Sequence, residues 1–362
     1  MKKIAIWGNN RYSNYGDDLQ TLVFALHVKN IGLNPIVFQL EKEIANKFGL
    51  EVADNLDELF QDVHLCIIAG GALLTPFSLV RRTLQKVAIE YEADFRDLNH
   101  AIKKYPHVKV CAISIGGDGE QRQPNKHYSR HRISFFSSSQ FLDGTVRLTG
   151  DVEQMKKFGK NFKFIPDCLL SVNKFVKPIT AVKNSSDGLV SKVGFNFKKG
   201  KYLSKHFLDE LFAYADKNKN IVFYFITTHL EKTGMDYEYI PDKETENIKI
   251  IKYADPEELL EFMTELDVLI SSKLHLGITG LTVQTPFLSY RGPGKAKSFL
   301  RSIGGGKMIL DDNITFDELK AAFFSKNKEQ LFNLIDIELF DTMVEKSFEQ
   351  FKFAEKMIDK YA

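Results

Sequence analysis

The sequence predicts an α/β protein made of two doubly wound domains, and three observations carry that prediction. The chain has 362 residues, more than one ordinary core organises, since domains run to about 100–200 residues. Short, nearly continuous apolar runs alternate with helical patterns, as parallel strands covered on both faces do. The alternation lapses once near the middle of the chain and then resumes.

In the first half the predicted strands are Lys3–Trp7, Pro35–Phe38, Leu65–Ala69, Lys109–Ile115, Thr145–Leu148 and Lys163–Ile165. After the first of them Leu19, Leu22, Val23 and Leu26 repeat at helical spacing, and Gly32 supplies a stop. Residues 174–192, polar and carrying Pro178, Ser185, Ser186 and Gly188, read as a linker between a domain 1–173 and a domain 193–315. The second half predicts strands at Val193–Phe197, Ile221–Ile226, Ile248–Lys252, Val268–Ser271, Pro286–Tyr290 and Met308–Leu310. One of its helices is marked by Asp255 as N-cap, Pro256 at N1 and Glu258 at N3. Residues 316–362 read as amphipathic helices that pack across the domains.

Composition removes several classes of function. Hydrophobic residues make up 44% of the chain, enough for two cores, and the net charge of +2 is not the basic footprint of a nucleic-acid binder. Cys66, Cys111 and Cys168 are odd in number and lie in or beside apolar runs, which reads as buried reduced thiols. No pattern of metal ligands is present. Thirty Phe against one Trp carry no functional reading. The opening MKKIAIWG has too short an apolar run for a signal peptide, and no stretch approaches the ~18 apolar residues of a spanning helix. The reduced cytoplasm is the expected compartment.

Five segments could carry chemistry. Gly8 to Asp18 joins the first strand to the first helix, at the carboxyl edge where doubly wound sheets bind ligands. Asp17 and Asp18 there would repel an anion and suit acceptor hydroxyls, or else cap the helix. Gly70-Gly71 and Gly116-Gly117 each end a strand. The loop beyond the second pair holds Arg122, Lys126, Arg130 and Arg132 with His127 and His131, either a solvated charged loop or a grip on a phosphate-bearing acceptor. Arg147 ends an apolar strand, where it must meet an anion or a carboxylate, and Pro166-Asp167 closes the next. Ser271 to Gly280 runs from a strand into a helix and places Lys273 and His275 at its start, a concentrated anion site. Arg291, Lys295 and Lys297 could add cations to the same rim. The small-anion site is expected in the cleft between the two domains.

Taken in order, Asn14-Tyr-Gly-Asp-Asp18, Ile68-Ala-Gly-Gly-Ala-Leu73, Ile113-Ser-Ile-Gly116, Val146-Arg147, Pro166-Asp167, Ser272-Lys-Leu-His275 and Thr285-Pro286 with Lys295 or Lys297 resemble the polysaccharide pyruvyl transferase family. The resemblance spans about residues 8–300. It implies a GT-B-like fold of two Rossmann-like domains and transfer of the pyruvyl group of phosphoenolpyruvate onto two sugar hydroxyls, with no other cofactor. Carried over, it implies that Arg147, Lys273, Leu274, His275 and Lys295 hold the donor, and that His275 with Asp17 or Asp18 does the acid–base work. Acceptor contacts would come from Asn14, Tyr15, Gly16, Gly70, Gly71, Gly116, Arg122 and Arg130. The acceptor would be a surface-polysaccharide precursor, on a lipid diphosphate in one version, with peripheral contact at the inner membrane face. Lys273 stands where the family has Arg and so loses a bidentate fork, and Ala72 interrupts a longer glycine run. The competing readings are a GT-B glycosyltransferase using a nucleotide-activated sugar, which lacks its expected ribose carboxylate after Gly280, and a non-catalytic binder of a phosphorylated metabolite.

Overall fold

A computed structural model describes residues 2–117, 128–176, 188–199, 203–234 and 238–362. Most of the expected linker, and Arg122, Lys126 and His127, lie outside the described residues. The chain forms two compact units. The first comprises Met1–Arg11, Asp17–Cys168 and Glu345–Ala362; the second comprises Tyr12–Gly16 and Leu169–Val344.

Up to Cys168 the strands are β1 (Lys3–Trp7), β2 (Asn34–Phe38), β3 (Glu51–Ala53), β4 (Leu65–Ala69), β5 (Lys109–Ile113), β6 (Thr145–Val146) and β7 (Lys163–Phe164). The helices there are α1 (Tyr15–Asn30), α2 (Lys42–Lys47), α3 (Leu56–Phe60), α4 (Leu79–Leu84), α5 (Lys86–Lys104), α6 (Arg130–Phe136) and α7 (Thr149–Lys156). Beyond them come β8 (Lys192–Asn196), α8 (Lys205–Lys217), β9 (Val222–Ile226), β10 (Ile248–Ile251), α9 (Pro256–Thr264), β11 (Val268–Ser271), α10 (Leu274–Thr282), β12 (Phe287–Ser289) and α11 (Gly294–Ser302). The chain ends in α12 (Phe316–Phe323), α13 (Lys328–Phe332), α14 (Ile337–Ser347) and α15 (Glu349–Tyr361).

Each unit repeats one topology. The first sheet runs β3-β2-β1-β4-β5 and the second β10-β9-β8-β11-β12, every pairing parallel. In both, the strand order reverses beside the central strand, at β1/β4 and at β8/β11, which opens a crevice at the carboxyl ends of those strands. Helices cover both sheet faces, so β4 and β11 are buried along their whole length. A small parallel pair, β6 with β7, joins the first sheet through a bridge between Ile115 and Val146.

Much of the phenylalanine forms ring clusters inside the units. Phe95, Phe135, Phe136 and Phe141 pack with centroids 5.0–5.8 Å apart in the first, and Phe195, Phe197 and Phe225 pack in the second. All three cysteines are buried and unbridged, as their apolar surroundings implied. Asp255 caps α9 by accepting from the amides of Glu257 and Glu258, with Pro256 at the first turn.

Two departures from the sequence reading concern strands. β3 was not foreseen, because Glu-Val-Ala is a three-residue edge strand with no apolar run. Met308–Leu310, expected as a strand, is the end of a 3-10 turn at Gly306–Met308 and meets β12 through one bridge, Ser289 to Ile309. The C-terminal segment divides: residues to Val344 count with the second unit, and Glu345–Ala362 with the first. There Gln350 Nε2 donates to the carbonyls of Ile165 and Pro166, both at 2.9 Å, and its amide oxygen accepts from the Thr145 hydroxyl.

Candidate functional site

In the second unit, the carboxyl ends of β8, β9 and β11 gather a polar cluster. Asn196 ends β8, Thr227, Thr228 and His229 follow β9, and Ser271 ends β11 with Ser272 and Lys273 behind it. The residue that ties them together is Glu238, which is buried. Its carboxylate accepts from Asn196 Nδ2 at 2.8 Å, the Thr228 amide at 2.8 Å and the Thr228 hydroxyl. His229 Nδ1 lies 3.4 Å away and Lys273 Nζ 3.7 Å away. Burial alone would raise the Glu238 pKa. The hydrogen bond from His229 and the charges of Lys273 and His229 outweigh it and hold the group at about 2. A carboxylate so satisfied is a fixed anchor for Lys273 and His229. Lys273, at 31% side-chain exposure, keeps its ammonium reachable.

Lys273 is also the N-cap of α10, and its amide donates to Ser271 Oγ at 2.9 Å. The first amides of α10 lack partners within their helix, so this end favours anions. His275 sits one residue into α10. Its ring packs against Gly16 so closely that a Cβ built there would lie 1.9 Å from Nδ1.

That contact comes from Tyr12–Gly16, which counts with the second unit although it follows β1. Backbone bonds hold it: the Tyr15 amide to Thr228 O at 2.8 Å, and the Leu230 amide to Ser13 O at 3.2 Å. Ser13 takes a positive φ of 41°, a conformation that costs a non-glycine residue roughly 1–2 kcal/mol. Asn14 Nδ2 lies 2.9 Å from His229 Nε2. Tyr15, expected among acceptor contacts, is buried with its hydroxyl donating to Thr279 Oγ1 at 2.9 Å. Burial pushes that phenol well above its usual range, so Tyr15 acts here by packing.

The first unit places its own polar network at the ends of β1, β4 and β5. Gly70 and Gly71 have φ of +72° and +89°, a turn that other residues enter at a cost. The Gly71 amide donates to Gln20 Oε1 at 3.0 Å, and Gln20 Nε2 reaches Asp167 Oδ1 at 3.5 Å. Asp167 Oδ2 takes Arg147 Nη1 at 3.1 Å, so the strand-end arginine meets the carboxylate that closes the next strand. A Cβ on Gly116 would lie 2.9 Å from Arg147 Nε. The Arg147 side chain is 1% exposed, so any ligand reaching it must displace part of this packing. The two adjacent aspartates differ: Asp18 is fully buried, whereas Asp17 is half-buried and accepts from Asn9 Nδ2 at 3.5 Å.

The basic loop is corrected in part. Arg132 is not solvated: its side chain is fully buried, with Nη2 2.7 Å from Glu92 Oε1. Arg130 starts α6 on the exposed side. Among the rim cations, Arg291 Nε donates to Asp312 O at 2.6 Å and Lys297 pairs with Asp312 at 3.2 Å, while Lys295 lies half-buried in the first turn of α11. Leu274 is buried at the start of α10. Among the described residues no group of three His, Cys, Asp or Glu could hold a metal ion. Sequence reasoning missed Glu238, His229 and Asn196. The polar Thr-Thr-His after an apolar strand was a usable signal, but Glu238 lies nine residues further on in a segment without periodicity.

Two doubly wound units built on parallel sheets, each with polar groups at the carboxyl edge of its sheet, give the chain a GT-B-like fold. Solved structures agree on that fold. Staphylococcus aureus MnaA, solved with UDP, matches with a TM-score of 0.60 at 10% identity over 98% of this chain and 95% of its own. Anabaena HepE, solved with UDP and glucose, gives 0.57 at 9% identity over 99% and 100%. The UDP-GlcNAc 2-epimerase of Neisseria meningitidis, bound to UDP-GlcNAc, gives 0.56 at 10% identity over 99% and 100%. No curated protein sequence matches the chain. Residues 14–291 match the pattern of the polysaccharide pyruvyl transferase family, and the chain belongs to that family.

Proposed function

We propose that the chain moves the pyruvyl group of phosphoenolpyruvate onto two hydroxyls of one sugar in a bacterial surface-polysaccharide precursor, forming a cyclic ketal and releasing phosphate. The observation that supports this best is Lys273 and His275 at the start of α10, with Glu238 behind Lys273. Lys273 and the α10 amides suit the donor's phosphate. Glu238 answers the loss of the arginine fork, because it fixes the direction of a side chain that would otherwise swing. Lys295 would extend the same cationic rim.

The chemistry balances as an addition followed by a displacement. A proton goes to the methylene carbon of the donor, and the first sugar hydroxyl adds to the neighbouring carbon and gives up its own proton. The second hydroxyl then displaces phosphate at that carbon, and its proton leaves with the phosphate or through a base. His275 is the candidate acid, since imidazole titrates near neutrality. Asp17, the accessible one of the pair, is the candidate that orients or deprotonates an acceptor hydroxyl. Asp18, Gly70, Gly71 and Gly116 shape the edge from within, and Asn14 and Gly16 set the position of His229 and His275.

Calorimetric titration with phosphoenolpyruvate, UDP and GDP tests the reading. Saturable binding of phosphoenolpyruvate alone, lost in Lys273→Ala and His275→Ala variants that melt normally, supports it. Arg147→Ala joins the series with its melting temperature, which separates donor contact from loss of the Asp167 pair. Binding of a nucleotide instead favours the nucleotide-sugar glycosyltransferase, and binding of phosphoenolpyruvate without turnover on any acceptor favours the non-catalytic binder.

A further inference from the structure

The surface around α4 has no place in that chemistry. Nine large hydrophobic side chains are exposed among the described residues, and four fall within eleven positions: Leu79 at 69%, Val80 at 64%, Leu84 at 77% and Ile89 at 43%. Single exposed apolar residues are ordinary, whereas a group of them marks an interaction surface. α4 buries none of its own residues, so neither packing nor helix stability explains its leucines and valine.

The charges within the stretch itself are of one sign. Arg81, Arg82 and Lys86 lie in the same stretch, and no Asp or Glu occurs from residue 63 to 89 in a chain with 47 acids. Lys86 is 86% exposed and only loosely paired with Glu90, at 3.9 Å. Arg81 lies over the Phe77 ring at 5.0 Å and bonds Gln85, which holds its stem along the surface.

We propose that α4 and the first turn of α5 are a docking surface for an anionic lipid bilayer. Apolar side chains would enter the boundary between headgroups and acyl chains, and the interspersed cations would meet lipid phosphates. Charge argues against a second copy as the occupant, because two-fold pairing would set Arg81, Arg82 and Lys86 against themselves. Among the described residues no helix is long and apolar enough to cross a membrane, so this contact is peripheral. The inference goes beyond the transferase reading and does not depend on it.

The full chain is sedimented with vesicles of phosphatidylcholine alone and of phosphatidylcholine mixed with phosphatidylglycerol. Binding is expected to the mixed vesicles only, weakening with salt. A Leu79→Ser/Val80→Ser/Leu84→Ser variant should lose about tenfold or more in partitioning, with unchanged circular dichroism and melting temperature. Arg81→Glu/Lys86→Glu should lose the salt-sensitive part. Absence of binding to either vesicle, or equal partitioning of wild type and both variants, overturns the proposal. So does a dimer in sedimentation velocity that the triple serine variant abolishes, which would assign the patch to a second copy.

Discussion

At the scale of single residues, the second unit turns on two side chains that the motifs alone do not join. Gly16 leaves no room for a side chain: an added Cβ would lie 2.6 Å from Cγ and 2.8 Å from Cβ of His275 as well as 1.9 Å from Nδ1. The His275 ring cannot simply rotate away, because its own Cβ is among the atoms met. Gly16→Ala should therefore shift His275, and a misplacement of about 1 Å can cost about 10²-fold in rate. Pyruvyl transfer measured beside the melting temperature checks this, and an active variant with normal KM would remove His275 from the chemistry. Glu238 gives a pH signature. Its folded pKa of about 2 lies below the ordinary 4.5, so its contribution is complete above the ordinary value and is lost as pH falls toward 2. The shift corresponds to about 3 kcal/mol at most. Acid titration of stability should be steeper in wild type than in Glu238→Gln, and under the proposed function the variant should also bind phosphoenolpyruvate more weakly because Lys273 loses its anchor.

At the scale of elements, α6 shows both what the sequence made legible and what it hid. Strands with apolar runs were readable nearly to the residue: β1, β4 and β11 start and stop where their hydrophobicity does. The run containing Arg130, His131 and Arg132 looked like a charged loop because charge was counted without phase. In the helix, Arg132, Phe135 and Phe136 share one face, three and four residues apart, and all three are buried. That spacing was present in the sequence and assigns Arg132 to the core. Its guanidinium lies 4.8–5.5 Å from the ring centroids of Phe77, Tyr91, Phe95 and Tyr128, with Glu92 as its charge partner. Removing one partner of a buried pair costs about 3–5 kcal/mol, so Arg132→Ala should destabilise by that order in urea titration. Arg132→Lys should lose much of the same energy, since Lys cannot make the fork to Thr75 O, Leu73 O and Glu92. Arg130→Ala, on the exposed side, should stay within about 0.5 kcal/mol of wild type.

At the scale of the whole molecule, neither unit is a continuous piece of chain. Composition marks a change of pattern near residue 174, but nothing local tells Glu345–Ala362 that it belongs with the first sheet. The reason lies in particular contacts. Gln350 satisfies three groups around β6 and β7, and Phe351 packs on Phe24 of α1 with centroids 4.9 Å apart. His27 of α1 lies 3.1 Å from Glu355, and burial, opposed by that carboxylate, lowers its pKa below 6.5. The neutral imidazole is the one folding selects, so stability is complete above that value and is lost as pH falls below it. Melting temperature should drop between neutral pH and mildly acidic pH, and drop less in His27→Gln. The consequence for folding is larger. Phe351, Ala354, Met357 and Ile358 of α15 are buried, and each large apolar side chain withdrawn from water contributes about 1.5–3 kcal/mol. Their sum approaches the about 5–15 kcal/mol of net stability that a domain possesses. Residues 1–168 expressed alone should therefore fail to give a cooperative thermal transition, while the same fragment carrying 345–362 through a flexible linker should regain one. A fragment 1–168 that melts cooperatively by itself would mean that α15 decorates the first unit instead of completing it.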